Sequence, residues 1–516
     1  MSAPAARPAP APAPAPRPIR KLLVANRGEI AVRIIRAAHE AGLRTVAVYS
    51  DADRTALHVR GAHEAVRLGP PPPAESYLSI PAVLAAARAS GADAIHPGYG
   101  FLSENSDFAT AVEAAGLVFV GPPASAMEAM GDKVPARRAV SAQDVPIVPG
   151  AEVPDAADTA AVQAAAARVG FPLLVKASAG GGGKGMRKVL RMEDLAEAVK
   201  RASSEAVTAF GDGTVFLERY VTQPRHVEIQ VLADGHGHVV ALGERECSVQ
   251  RRHQKVIEES PSCVVTPALR ARMEQAACTV ARSCGYRSAG TVEFLVGGDG
   301  NFYFLEMNTR IQVEHPITEE RFGVDLVGEQ LRIAQGLPIS FGERVPAPEG
   351  HAMEARICAE DADDGFLPST GTLGAVQLPG GPGVRCDGHV YSGQQVTLHY
   401  DTLLLKLVVH AADRPTAIRR LKRALHEVRL PGVTTNVPLL LRTLDDPRFV
   451  AGDYDTSILE GSAPRAPAPD DIVPVVAAAL ALQRRAPPAA PTPPPGQAGG
   501  GMPPWVRAGR AGWGQA

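Results

Sequence analysis

The sequence predicts a multi-domain protein of combined α/β and α+β type, and three observations carry that expectation. At 516 residues the chain is longer than one core organises, so two to four domains of about 100–200 residues each are expected. Over the first third, short apolar runs alternate with alanine-rich helical stretches, the pattern of parallel βαβ units. Beyond residue 224, strand-like segments dominate before helices return.

Order is expected to begin at Arg20. Residues 21–25 read as a buried strand, 28–38 as a helix and 45–49 as the next strand, with further strands at 94–95 and 117–120. These predict a Rossmann-like N-terminal domain over residues 19–132. A central domain is expected over 133–347. Its small α/β lid, about 148–220, has strands at 173–176 and 215–218, a glycine loop and a helix around 193–206. The rest of that domain carries a strand at 227–232 and a hairpin with arms 291–296 and 302–307. A last α+β domain is expected over 350–461. Residues 1–18 and 462–516 are rich in alanine and proline and read as disordered tails, since such composition buries too little apolar area to offset chain entropy. No internal repeat is found.

Lys and Arg number 53 against 55 Asp and Glu, for a net charge of -2, so no global field favours nucleic acid or an anionic membrane. Anionic substrates must be met by local charge. Six cysteines form no CxxC pair and read as small buried hydrophobes in a reducing, cytoplasmic setting. The most apolar late stretch, 473–482, contains Pro474 and is shorter than the ~20 residues of a membrane span. Alternating Ala and Pro at the N-terminus fits neither a signal peptide nor an amphipathic presequence.

The run Ser178-Ala-Gly-Gly-Gly-Gly-Lys-Gly-Met186 follows a strand ending in Lys176. Glycines there let backbone N–H groups converge on phosphate oxygens, so the run reads as a mobile phosphate-covering loop; alone, it would equally be a flexible linker. It is not a Walker A loop, because Ser178 and Gly185 stand where that motif needs Gly and Ser or Thr.

In the hairpin, a turn at Gly297-Gly-Asp-Gly300 pairs Val296 with Asn301 and Glu293 with Phe304. Glu293 and Glu306 then become diagonal neighbours about 7–8 Å apart, able to bridge one or two Mg²⁺ ions on ATP phosphates. Phe302 and Phe304 are expected on the same face; a solvated sheet face is the competing reading. From Glu306 to Pro316 every even position is polar, and period two would bring Glu306, Asn308, Arg310, Gln312 and Glu314 together along a strand. His226, Glu228 and Gln230 alternate with β-branched residues as a second wall, or as an ordinary half-buried strand. Gln250-Arg-Arg-His-Gln-Lys255 concentrates positive charge and, between those walls, reads as the local cation for phosphate and bicarbonate. Without that context it would be a solvated basic turn.

At these residues the chain closely resembles the biotin carboxylase family over about residues 19–461. The matching motifs are Ala25-Asn-Arg-Gly-Glu-Ile-Ala31, His96-Pro-Gly-Tyr-Gly-Phe-Leu-Ser-Glu-Asn105, Gly131-Asp-Lys133, the Lys176 to Met186 loop, Arg225-His-Val-Glu-Ile-Gln-Val231, Gln250 to Lys255, Glu306 to Pro316, and Glu354-Ala-Arg356-Ile-Cys-Ala-Glu-Asp361, in family order. The resemblance implies an ATP-grasp central domain with a mobile glycine-rich lid and a biotin carboxylase C-terminal α+β domain. It implies that Lys133, Lys176, Gly182, Gly183, Glu218, Arg219, Tyr220, Val221, His226, Gln250, Glu293 and Glu306 bind ATP. Glu293, Glu306 and Asn308 match ligands of Mg²⁺ (or Mn²⁺). Lys255, Arg310, Gln312, Val313 and Glu314 match the bicarbonate cradle, with Glu314 the general base, and Arg356 matches the residue facing the biotin ureido group.

The implied activity is that of a ligase: ATP and bicarbonate form carboxyphosphate, and biotin N1′ is carboxylated on a separate carrier. The implied partners are biotin carboxyl carrier protein and carboxyltransferase subunits of an acetyl-CoA/acyl-CoA carboxylase, with homodimerisation. An Ala-Met-Lys-Met type acceptor turn is missing from the sequence, which places the biotin on another polypeptide. Glu319-Glu-Arg-Phe-Gly323 and Leu398-His-Tyr400-Asp401 depart from the family pattern and bear on local packing. The rivals are another ATP-grasp ligase, a pyruvate or propionyl-CoA carboxylase subunit, and a catalytically idle scaffold.

Overall fold

The computed structural model describes residues 16–460 except 132, 154, 178–186 and 211–213. The first sheet contains β1 (Lys21–Val24), β2 (Arg44–Ser50), β3 (Glu64–Gly69), β4 (Ala94–His96) and β5 (Val118–Phe119), all parallel in the order β3-β2-β1-β4-β5. Leu22, Leu23 and Val24 are completely buried, as expected of a central parallel strand covered on both faces. The order reverses at β1, and open α/β sheets bind ligands at the carboxyl ends of strands flanking such a reversal. There the chain passes through Asn26 and Arg27 into the helix Gly28–Glu40, which buries Ile30, Ile34 and Ile35 against the sheet. Gly28 sits at φ +67, in the left-handed region that side chains rarely adopt, so this sharp entry favours glycine.

Structure begins earlier than the expected start at Arg20. The Arg17 N–H donates to the Gln335 carbonyl at 2.9 Å, and its guanidinium to the Gly116 carbonyl at 3.1 Å.

A second, four-stranded antiparallel sheet has the order β6 (Gly150–Val153), β9 (Val215–Arg219), β7 (Leu173–Ala177), β8 (Arg187–Val189). The helices Thr159–Val169 and Leu195–Phe210 supply Val162, Ala166, Leu195 and Val199 to a core shared with Leu173, Val175, Val215 and Leu217. The glycine loop between β7 and β8, with Gly182 and Gly183, lies outside the described residues.

The third sheet positions the chemistry. Its eight strands include β10 (Arg225–Ala233), β11 (Val239–Arg251), β12 (Gln254–Ser260), β13 (Ser288–Val296), β14 (Phe302–Asn308) and β15 (His351–Cys358). They run in the order β14-β13-β10-β11-β12-β15, followed by Leu403–Ala411 and Val384–Gly388, with every pair antiparallel. Because β12 pairs with β15, the sheet continues unbroken across residues 347–350.

The β13–β14 hairpin corrects two expectations. Val296 pairs with Phe302 and not with Asn301, since Gly297 N donates to Asn301 O and Gly300 takes φ +75 to turn the chain. Phe294 then pairs with Phe304, Leu305 bulges, and Glu293 falls directly opposite Glu306 in place of the expected diagonal. The bulge also switches faces. Phe294, Phe302 and Phe304 pack together in the apolar core with ring centroids 5.4 and 6.4 Å apart, on the opposite side of the sheet from Glu293 and Glu306. The predicted strand through Glu314 is likewise corrected: β14 ends at Asn308, residues 309–314 are irregular, and Glu314 stands at the N-cap of the helix His315–Phe322.

Candidate active site

Register aligns a row of charges across four adjacent strands: Arg245 on β11 opposite Glu228 on β10, Glu228 opposite Glu293 on β13, and Glu293 opposite Glu306 on β14. Glu228 and Arg245 are completely buried, which is tolerable only if each polar atom is paired. The Arg245 guanidinium meets that condition. Nε donates to Glu228, Nη1 to Gln230 Oε1 at 2.7 Å and Thr318 Oγ1 at 3.0 Å, and Nη2 to Thr291 Oγ1 at 3.0 Å and Gln312 Oε1 at 2.9 Å. That arginine ties β10, β13, the irregular segment and the following helix into one frame.

Lys255, from β12, points into the same frame with its side chain 10% exposed. Its ammonium donates to Glu228 Oε2 at 2.6 Å, Glu293 Oε1 at 3.2 Å and Glu314 Oε1 at 2.5 Å. Burial pulls its pKa down, but the surrounding carboxylates of Glu228, Glu293 and Glu314 hold it well above the usual lysine value, so it stays charged. Of the basic run, Arg252 and His253 form the solvent-exposed hairpin tip at φ +48 and +70. The expected collective patch is therefore reduced to Arg251 and Lys255, which both line the cavity described below, with Gln250 directly opposite Lys255 in the ladder.

Glu293 Oε1 also accepts from Asn308 Nδ2 and Gln312 Nε2, both at 2.8 Å, while Oε2 meets His226 Nε2 at 3.0 Å. Burial pushes this carboxyl up; Lys255 and His226 overcome that and hold it well below the usual range. An ionised Glu293 facing Glu306, with the Asn308 amide alongside, forms a hard-oxygen donor set that fits Mg²⁺ or Mn²⁺.

Glu314 is 2% exposed and anchored at both oxygens, Oε1 by Lys255 and Oε2 by Arg356 Nη2 at 2.9 Å. Burial raises its pKa, but Lys255, Arg356 and Arg245 together bring it below the ordinary carboxylate range. Arg356, on β15, also donates Nε to Glu258 Oε1 at 2.6 Å. Arg310 reaches Glu104 Oε2 and Asn308 Oδ1, each at 3.0 Å. Lys255, Arg310, Val313 and Arg356 line a cavity of about 660 Å³ whose far wall is Asn26, Arg27 and Gly28, at the carboxyl end of β1.

The predicted cradle of Lys255, Arg310, Gln312, Val313 and Glu314 thus comes together with Arg356. Of the predicted nucleotide residues, Lys176 Nζ contacts Glu218 Oε2 at 2.6 Å across β7 and β9, Arg219 ends β9, and Tyr220 lies under the Lys188 ammonium at 3.8 Å. Val221 follows in the connection to β10, His226 joins the Glu293 cluster, and the Lys133 side chain lies outside the described residues.

Sequence reasoning did not single out Arg245, Glu258 or Lys406. Lys406 interrupts the apolar run Leu403–Ala411, a signal that was legible. Its Nζ donates to the Val313 carbonyl at 2.7 Å and meets Glu29 at 3.2 Å, orienting the Val313 backbone.

Three family models match in succession: Biotin carboxylase, N-terminal domain (residues 18–127), Carbamoyl-phosphate synthase L chain, ATP binding domain (132–341), and Biotin carboxylase C-terminal domain (354–461). The Biotin carboxylase of Haemophilus influenzae is 52% identical over 442 residues, covering 86% of this chain and 98% of that relative. The Propionyl-CoA carboxylase alpha chain of Ruegeria pomeroyi is 47% identical over 86% of this chain and 68% of its own length. Among solved structures, a Campylobacter jejuni biotin carboxylase–β,γ-ATP complex aligns with TM-score 0.78 and 43% identity, over 86% of this chain and 98% of that one. The biotin carboxylase domain dimer of Hydrogenobacter thermophilus 2-oxoglutarate carboxylase, with MgADP, ADP and bicarbonate, aligns with TM-score 0.76 and 43% identity, over 86% and 97%. The chain belongs to the biotin carboxylase family, ATP-dependent ligases that carboxylate biotin.

Proposed function

We propose that the chain catalyses the first half-reaction of an acetyl-CoA/acyl-CoA carboxylase in the cytoplasm, carboxylating biotin N1′ on a separate biotin carboxyl carrier protein through carboxyphosphate. The observation that carries this reading is Glu314, an ionised carboxylate held by Lys255 and Arg356, both of which line the cavity. The match over nearly all of the Haemophilus influenzae Biotin carboxylase supports biotin as the group carboxylated. Carboxyltransferase subunits then choose the final acceptor, and a homodimer is the expected assembly.

Bicarbonate is a weak nucleophile, so it must lose its proton as it attacks. Arg310, Lys255, the Gln312 amide and the Val313 backbone hold it in line with the γ-phosphate, and a Glu314 oxygen takes the proton. The new O–P bond forms as the ADP oxygen leaves. Carboxyphosphate then breaks into CO₂ and phosphate, phosphate removes the N1′ proton of biotin, and N1′ attacks CO₂. Arg356 stabilises the enolate-like ureido oxygen. Lys133, Lys176, Gly182, Gly183, Glu218, Arg219, Tyr220, Val221, His226 and Gln250 hold ATP, and the glycine-rich loop excludes the water that would hydrolyse the intermediate. Mg²⁺ bound by Glu293, Glu306 and Asn308 supplies neutralisation of phosphate charge. Glu314→Gln tests the assignment: MgATP still binds, while bicarbonate-dependent turnover falls about 10²-fold or more. Parental turnover in that variant refutes Glu314 as the base.

A further inference from the structure

Behind Arg356 lies a pair of acids that the proposed mechanism leaves without a task. Glu258 on β12 and Glu354 on β15 are direct cross-strand partners, both completely buried, which puts their Cβ atoms about 4.5–5.5 Å apart. Glu258 Oε1 accepts from Arg356 Nε at 2.6 Å. Among the described residues, Glu258 Oε2 and both carboxyl oxygens of Glu354 meet no hydrogen-bond donor. Lys406, opposite Arg356 on the neighbouring strand, is turned to the Val313 carbonyl and Glu29.

Two adjacent buried carboxylates with unpartnered oxygens are not both ionised, because each would carry an uncompensated charge in a medium of low polarisability. One proton resolves the conflict by turning two orphaned acceptors into a donor and an acceptor. We propose that Glu354 carries that proton and shares it with Glu258, and that the pair is a positioning device which presents one ionised Glu258 oxygen to Arg356. The guanidinium is then fixed from two sides, Nε by Glu258 and Nη2 by Glu314, with its plane set toward the cavity.

The charges around the pair agree. Burial drives Glu354 up first; Lys406 and Arg356 pull against it, Glu258 and Glu314 add to the rise, and its pKa ends well above the usual range. At Glu258, burial and Glu314 act upward while Arg356 and Lys255 act downward. The thiol of the buried Cys247 and the phenol of Tyr99, half-buried at the cavity, have pKa values well above their ordinary ones and stay neutral. A raised pKa means that the proton is held at neutral pH and lost as pH climbs. Both acids then ionise, the repulsion between the two adjacent carboxylates displaces Glu258, and Arg356 Nε loses its fixed support.

This inference rests on Arg356 as the residue facing biotin, and Arg356→Lys tests that reading separately through biotin-dependent turnover. If Arg356→Lys costs nothing, the reading of Arg356 fails, and the inference with it. Given that loss, Glu258→Gln lowers biotin-dependent kcat about 10–100-fold, as loss of a residue that orients a functional group does. It lowers biotin-independent ATP cleavage far less. Glu354→Leu loses turnover, Glu354→Gln recovers most of it by supplying a permanent donor, and in Glu354→Gln the alkaline decline of the parent moves to higher pH. A parental alkaline limb in Glu354→Gln, or parental biotin-dependent kcat in Glu258→Gln, overturns the proposal. The infrared carbonyl band of a protonated buried carboxyl in the unmodified protein at pH 7, absent from Glu354→Gln, gives a readout independent of activity. Identical spectra overturn it.

Discussion

Replacing Arg245 with methionine keeps a comparable apolar length but removes the cation that ties the buried frame together. The substitution strips donors from Glu228 Oε1, Gln230 Oε1, Thr291 Oγ1, Gln312 Oε1 and Thr318 Oγ1 in a region where Arg245 and Glu228 are completely buried. Lys255 still contacts the other Glu228 oxygen, so that carboxylate keeps one partner. Removing one member of a buried ion pair costs about 3–5 kcal/mol. For a cooperative unit of 150–250 residues, this corresponds to a fall in melting temperature of about 6–20 °C. Activity drops as well, since Gln312 and Glu228 lose the bonds that aim them at Glu293 and Lys255. The assay is thermal unfolding followed by circular dichroism, paired with bicarbonate-dependent ATP cleavage below the transition. Arg245→Lys recovers little, because one ammonium cannot reproduce a planar fork with five donors. A methionine variant that melts and turns over like the parent would falsify the view that this arginine organises the site.

Glu306→Gln, opposite Glu293 in the ladder, raises the MgATP concentration needed for half-maximal turnover, and added Mn²⁺ offsets part of the loss; normal ATP affinity with no response to metal contradicts the metal assignment. Glu259 is gripped by His351 and Arg414, each at 2.7 Å, which overcome burial and bring its pKa down to about 2. A depressed folded-state pKa contributes stability above the unfolded value near 4.3, and that stability is lost as pH falls toward 2. Glu259→Gln therefore flattens the acid limb of a stability–pH curve, and an unchanged limb contradicts the assignment. Deleting residues 1–15 and 467–516 leaves the melting temperature nearly unchanged, whereas a drop of several degrees shows that one of these segments supports the body.

The parallel first sheet was legible because a buried central strand reads as an unbroken apolar run, and Leu22, Leu23 and Val24 form that run. Glu314 and Arg356 were legible through their motifs, although alternation gave the wrong reason for the former. Asn308, Gln312 and Glu314 converge because the chain leaves the strand after Asn308 and enters a helix at Glu314, bringing Gln312 back to Glu293 and Glu314 to Lys255. The Leu305 bulge carries no mark in a stretch of ordinary strand formers, and its single extra residue decides which face the carboxylates occupy. Arg356 finds Glu258 at a separation of 98 residues, a pairing set by the neighbouring positions of β12 and β15 in the large sheet. Local patterns do not encode such adjacency.

The central claim, that bicarbonate is activated by attack on the γ-phosphate and loses its proton to Glu314, predicts where one oxygen atom goes. Carboxyphosphate leaves its bridging oxygen on phosphate when it releases CO₂, so bicarbonate labelled with ¹⁸O must pass label into the phosphate formed from ATP. Mass spectrometry of that phosphate during single-turnover cleavage, with biotinylated carrier present, measures this directly. The account predicts one ¹⁸O per phosphate, and no bicarbonate-dependent phosphate from Glu314→Gln on the same timescale. Unlabelled phosphate, released at the same rate without bicarbonate, would mean that water attacks ATP and would contradict it.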